Sequence, residues 1–125
     1  MKKWLVLLLP IPMLLAGCRS TFTNLTPQTQ FRSTNHLYQV EVAFDSRKQT
    51  IRWNSINPQI VVGTATYPMH LTQLMTNRWE GVVPVPQGMK SIHYRYQFDY
   101  DYNSFGKPKA TTELSPEYTI RVIEK

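Results

Sequence analysis

Five aromatic rings, Tyr94, Tyr96, Phe98, Tyr100 and Tyr102, alternate with Arg95, Gln97, Asp99 and Asp101. Side chains of a strand point alternately to its two faces, so this run predicts a strand with one ring-bearing face. A face this apolar must be covered by something, and core packing is the expectation for Tyr94, Tyr96 and Phe98. The same period-two pattern runs through the chain from Leu37 onward. Tyr38, Val40, Val42 and Phe44 share one face, and a polar turn follows at residues 45–48. Ile51 and Trp53 share a face, and Ile60, Val61 and Val62 form an apolar run between Pro58 and Gly63. Trp79, Gly81, Val83 and Val85 alternate again, but Pro84 and Pro86 withhold ladder donors and predict an edge or irregular strand. Gln87-Gly88 supplies a turn, and a last strand spans residues 118–123 after a long loop. Residues 69–75 fit either a strand or one helical turn, because Leu71, Leu74 and Met75 also suit a helix. Six or seven short strands punctuated by Gly, Pro and Asn predict an all-β fold, an antiparallel immunoglobulin-like β-sandwich.

The N-terminal region has a different character. Lys2 and Lys3 precede an apolar stretch at residues 4–16, and small residues precede Cys18, in the order of a secretory signal. A stretch of 13 residues is too short for a bilayer-spanning helix, which needs about 20. Pro10 and Pro12 weaken a helix further. The residues Leu15-Ala16-Gly17-Cys18 resemble the bacterial lipobox. That resemblance implies cleavage after Gly17, a diacylglycerol on the Cys18 thiol, and acylation of the new amino group. Two or more acyl chains hold a protein lastingly at a membrane, where one holds it marginally. Arg19 stands where an Asp often retains lipoproteins at the inner membrane, so the resemblance implies a bacterial cell-envelope protein at the outer membrane.

The expected organisation is a signal peptide at 1–17, a lipidated Cys18 with a polar tether over 18–35, and a sandwich domain over 36–125. Phe22 and Leu25 mark at most a short first strand within the tether. The mature chain of 108 residues suits one domain. Its only cysteine is the lipidation site, so no disulfide is available and the core must carry the stability. Loss of Lys2 and Lys3 takes the formal charge from +6 to +4. The remaining basic residues are scattered, without a run of five, and an exported protein is poorly placed to bind nucleic acid.

Chemistry-bearing clusters are sparse. Asp99, Asp101 and Asn103 match the opening of an EF-hand calcium loop, but Ser104 stands at its glycine position and Ala110 at its closing carboxylate position. Weak cation binding with Glu113 would need a wrapping loop, whereas alternate strand residues point the same way. Asp99 and Asp101 lie about 6–7 Å apart on a strand face, a spacing open to acid–base hydrolysis, but Arg95 shares that face and a charge ladder is the simpler account. His36, His70 and His93 have no metal-ligand spacing, and no nucleophile motif is present. No catalytic residue, metal or cofactor is therefore expected. Phe105 is a lone aromatic in the polar stretch of residues 103–109, placed either to contact a partner or to fold back on the core.

From about residue 60 the order of features is similar to early-set immunoglobulin-like domains, including the glycogen-binding kind. The matching pieces are Ile60-Val61-Val62-Gly63, Pro68-Met69, the stretch from Trp79 to Gly88, and the stretch from Tyr94 to Asp99. The resemblance implies a small sandwich with Trp79 and Tyr96 in its core. The family's sugar-stacking tryptophans are absent, and Tyr67 and Tyr100 stand nearest their places. The first expectation for function is a non-catalytic, lipid-anchored module that holds another envelope protein through an exposed strand edge or the Phe105 loop. The alternative is a carbohydrate-binding module for glycan or cell-wall polymer, with Tyr67, Tyr100 and Tyr102 as the stacking platform.

Overall fold

A computed structural model describes residues 21–46 and 50–124. The leader, Cys18, Arg19 and the Arg47-Lys48 part of the polar turn lie outside the described residues. The described residues form ten strands, with alternating burial clearest on the third, seventh and eighth: β1 (Thr21–Asn24), β2 (Thr29–Phe31), β3 (Leu37–Asp45), β4 (Asn57–Val62), β5 (Ala65–Pro68), β6 (His70–Leu71), β7 (Arg78–Pro84), β8 (Ser91–Ser104), β9 (Lys107–Leu114) and β10 (Tyr118–Ile123). One sheet runs β1-β3-β7-β6 and the other β2-β10-β8-β4-β5, with β9 also paired to β8. Among the described strands only β2 with β10 is parallel. Taken in chain order, the sheets follow the A-B-E-D and G-F-C-C′ order of an immunoglobulin sandwich.

The core forms where the two inner faces meet. Tyr38, Val40, Val42 and Phe44 of β3 face Ile92, Tyr94, Tyr96, Phe98 and Tyr100 of β8, with Trp79 and Val83 of β7 and Ile120 of β10 closing around them. At one end the rings interlock: Phe44 lies 4.5 Å from Phe98, Trp79 5.2 Å from Phe98, and Phe22 5.0 Å from Phe44. Such tilted and edge contacts add about 0.5–1.5 kcal/mol per pair to the burial itself. Trp79 and Tyr96 both lie in this core. Gly81 lets β5 come close, since a Cβ there would stand 2.7 Å from the Pro68 carbonyl oxygen.

The polar ends of the buried tyrosines are satisfied by the first strand. The Tyr96 hydroxyl donates to Asn24 Oδ1 at 2.7 Å, and Asn24 Nδ2 donates to the Tyr94 hydroxyl at 3.0 Å. Thr26 Oγ1 accepts from the Glu41 backbone N–H at 2.8 Å and lies 3.1 Å from the Tyr96 hydroxyl. Burial holds the Tyr96 phenol well above the usual tyrosine range, and burial also raises Tyr118. The stretch over 18–35 is thus more than a tether from Thr21 onward. Its β1 joins the first sheet and its β2 the second, Phe22 packs against the core, and Asn24 and Thr26 meet the Tyr96 hydroxyl.

Three further expectations change. Residues 69–75 are no helix: Met69 is buried, β6 takes two residues, and a turn closes with the Met75 N–H on the Thr72 carbonyl at 3.1 Å. Trp53 shares no strand with Ile51; it opens a 3-10 turn, Trp53–Ser55, while Ile51 bridges Tyr102. The long loop after Tyr102 is a hairpin, with β9 laid along β8 from Ser104↔Lys107 to Gln97↔Leu114. Prolines in β7 are tolerated because β6 reaches only Trp79 and Glu80, which leaves the Pro84 end bounded by β3 alone.

β9 and β10 continue one another along the same side of β8. Leu114 sits opposite Gln97 and Tyr118 opposite Tyr94, so four steps on one strand face three on the other and one residue is extra. Ser115 absorbs the mismatch. Its N–H donates to the Tyr96 carbonyl at 2.9 Å, and its hydroxyl accepts the Tyr96 N–H at 2.8 Å in place of a ladder carbonyl.

Candidate functional site

The register of β8 with β9 leaves two residues, Phe105 and Gly106, to turn the chain, with φ of 51° and 80°. Two consecutive positive φ values define the I′ turn, whose twist matches that of the strands it joins. Asn, Asp or Gly normally takes the first of these positions, because a Cβ in the left-handed region meets the following carbonyl. Phenylalanine takes it here, and its ring is 104% exposed. It does not fold back on the core.

A second residue shares this combination. Leu74, in the connection from β6 to β7, has φ of 65° and is 95% exposed. Beside it lies a groove of about 400 Å³ lined by Trp53, Leu71, Met75, Thr76 and Asn77 and floored by Trp79. Trp53 is 52% exposed. The pairings place all of these at one end of the sandwich. Thr21 opposes Asp45 at the end of β3, the Phe44 N–H bonds to the Asn77 carbonyl at 3.0 Å, and β8 runs past this level to the hairpin. The described chain therefore enters the fold at the end that carries Phe105, Leu74 and Trp53.

On the flank of the same end lies a cleft of about 620 Å³, bounded by Thr21 and Phe22 of β1 and by residues 112–116. It opens where the two sheets part, because β9 pairs with β8 alone among the described strands. The backbone along residues 107–112 thus offers a sheet edge beside a partly apolar cleft.

The tyrosines proposed as a stacking platform are not brought together. Tyr100 is 2% exposed, its ring 5.8 Å from that of Phe44 and its hydroxyl donating to Glu113. It belongs to the core, on the face of β8 that packs against Phe44 of the other sheet. Tyr67 is half-buried against the core opposite Ile60, which in turn opposes Tyr96. Tyr102 is half-buried six residues farther along β8, about 20 Å away at strand rise, beside Ile51. Only Phe105, of the four contact residues expected from sequence, stands fully in solvent.

The acidic residues are likewise committed to strand contacts. Asp99 Oδ1 accepts from Thr112 Oγ1 at 2.7 Å and from Gln97 Nε2 at 3.3 Å. The Asp101 N–H donates to Ser55 Oγ at 2.8 Å, and its carbonyl accepts from the Arg52 N–H at 2.9 Å. Asn103 bonds to Thr50 through its backbone N–H at 3.0 Å, so Asp99, Asp101 and Asn103 lie on extended chain rather than a loop. His70 faces Glu80 at 3.4 Å, His93 faces Thr119 at 2.8 Å, and His36 lies in a turn at the far end. Among the described residues no group of three or more His, Cys, Asp or Glu is placed to hold a metal ion.

Sequence reasoning missed Trp53, Leu74 and the β9 edge. Phe105-Gly106 between extended residues was the available signal for the hairpin. No family model matches the chain, and no curated protein matches it. Among solved structures it is similar to a DUF4785 family protein of Legionella pneumophila, with a TM-score of 0.47 and 9% identity. That match covers 83% of this chain and 28% of the other, so the chain spans little more than a quarter of that protein's length.

Proposed function

We propose that this chain is a non-catalytic, lipid-anchored module of a bacterial cell envelope, tied through Cys18 and directed by Arg19 to the outer membrane, that holds another envelope protein at the β9 edge. The observation that carries the reading is an eight-residue strand that, among the described residues, is paired on one side only and borders the 620 Å³ cleft. An added strand gains affinity from backbone hydrogen bonds and specificity from alternate side chains seated in a neighbouring pocket. Lys107, Pro108 and Lys109 guard the first part of the edge against indiscriminate pairing, which leaves the stretch from Ala110 to Thr112 as the docking segment. The lipobox residues support the anchor, and the acyl chains they imply keep the edge at the membrane whatever the partner.

A photo-crosslinking residue at Ala110 or Thr112 in living cells should give a discrete adduct with one envelope protein. The same probe at Thr66, on the opposite edge strand β5, should give none. Binding of that partner should slow amide hydrogen exchange along residues 110–114. Equal adducts at Thr66 and Thr112, or unchanged exchange at β9 in the complex, would refute the reading.

A further inference from the structure

We infer that the hairpin end of the sandwich lies against the bilayer, with Phe105, Leu74 and Trp53 seated among lipid headgroups and acyl chains. This placement rests on the lipid anchor at Cys18 proposed above and adds to it a second, non-covalent membrane contact.

The first support is the reach of the chain. Cys18 precedes Thr21 by three residues, which span at most about 11 Å even when fully extended. Thr21 stands level with Asp45, one residue beyond Phe44, whose ring meets Tyr100. From Tyr100 the hairpin runs five residues farther to Phe105, about 17 Å at strand rise. The tip therefore projects at least as far as the anchored cysteine. β1 and the β9 side of the hairpin also face each other across one cleft, so anchor and tip share an edge of the molecule. With Cys18 at the interface and the strands standing along the membrane normal, Phe105 reaches the interface.

The second support is chemical. Phe105 and Leu74 each combine a left-handed backbone with an almost fully exposed apolar side chain. Backbone strain of this kind clusters at functional sites, and here it holds side chains that face solvent. Trp53, half out of its groove, has the amphipathic ring that favours the membrane interface. Arg52, Lys107 and Lys109 are exposed beside these residues, a charge suited to anionic phospholipid headgroups.

The test uses the full chain expressed in bacteria and reconstituted into vesicles of phosphatidylethanolamine and phosphatidylglycerol, with brominated lipid as quencher. Phe105→Trp is compared with Met89→Trp, a solvent-exposed position in the turn at the opposite end. Neither substitution removes a buried contact. The expected result, after subtraction of the quenching that Trp53 and Trp79 give in the unsubstituted protein, is quenching stronger by roughly twofold or more for Phe105→Trp than for Met89→Trp. Mass spectrometry of residue 18 reads the anchor separately. An unmodified thiol removes the anchor and this placement with it. An acylated Cys18 with Phe105→Trp quenched no more than Met89→Trp leaves the anchor standing and overturns the placement. A tip that is shielded only when an envelope protein is added, and not by lipid alone, overturns it equally.

Discussion

Replacing Phe105 by asparagine should stabilise the protein, although it removes the large apolar side chain of the turn. An L-residue in the left-handed region costs about 1–2 kcal/mol, and asparagine is among the residues that tolerate it best. The Phe105 ring is fully exposed, so its loss sacrifices no apolar burial. Asparagine followed by Gly106 is also the sequence that most strongly favours a I′ turn. If half of the strain is recovered, Phe105→Asn gains about 0.5–1 kcal/mol, which for a domain of this size raises the melting temperature by about 2–5 °C. Urea denaturation should show a higher midpoint with an unchanged slope, because the surface exposed on unfolding is the same. A β-branched Phe105→Val should move the midpoint the other way. The same Phe105→Asn protein should bind phospholipid vesicles less well, so that stability and membrane contact change in opposite directions. A lower midpoint for Phe105→Asn would mean that the ring packs on the fold, and would refute both the exposure argument and the role built on it.

Other positions offer independent checks. Gly81→Ala drives a Cβ to 2.7 Å from the Pro68 carbonyl oxygen and 3.0 Å from Ile60 Cδ1, and should cost about 1–3 kcal/mol in chemical denaturation. Ser115→Ala leaves the buried Tyr96 N–H without its hydroxyl acceptor and should cost a further about 1–3 kcal/mol; it should also speed exchange of that amide. Stability should fall at alkaline pH. Tyr96 keeps its proton in the native state above the usual tyrosine pKa, whereas the unfolded chain loses it near pH 10. The unfolded state then binds one proton fewer, so unfolding becomes easier by about 1.4 kcal/mol per pH unit above pH 10, with full stability below it. Tyr96→Phe should flatten this alkaline limb while lowering stability at pH 7, because Asn24 and Thr26 lose a partner.

The faces of β3 and β8 could be read from residue order because burial on a strand repeats every two residues and depends on little else. Tyr38 to Phe44 and Tyr94 to Phe98 are core on that ground alone. β1, β2 and β9 carry no such stripe. They are polar edge strands, fixed by pairing with residues far away in sequence, and pairing of that kind leaves no local periodicity. One omission had a chain of consequences. With a phenylalanine in place of the usual asparagine, residue type alone does not mark the I′ turn at Phe105-Gly106, so residues 107–114 read as loop and β8 reads as a strand ending near Tyr102. Tyr100 then reads as a residue close to an exposed strand end, whereas β8 runs four residues past it and its ring packs against Phe44. The substitution that concealed the turn is also what makes it informative once the backbone is known. A sequence selected only for folding would place Asn, Asp or Gly at residue 105 and leave solvent-exposed residue 74 polar or glycine. Two large apolar side chains held at positive φ on one end, within chain reach of Cys18, are a departure from local preference that the fold itself does not require.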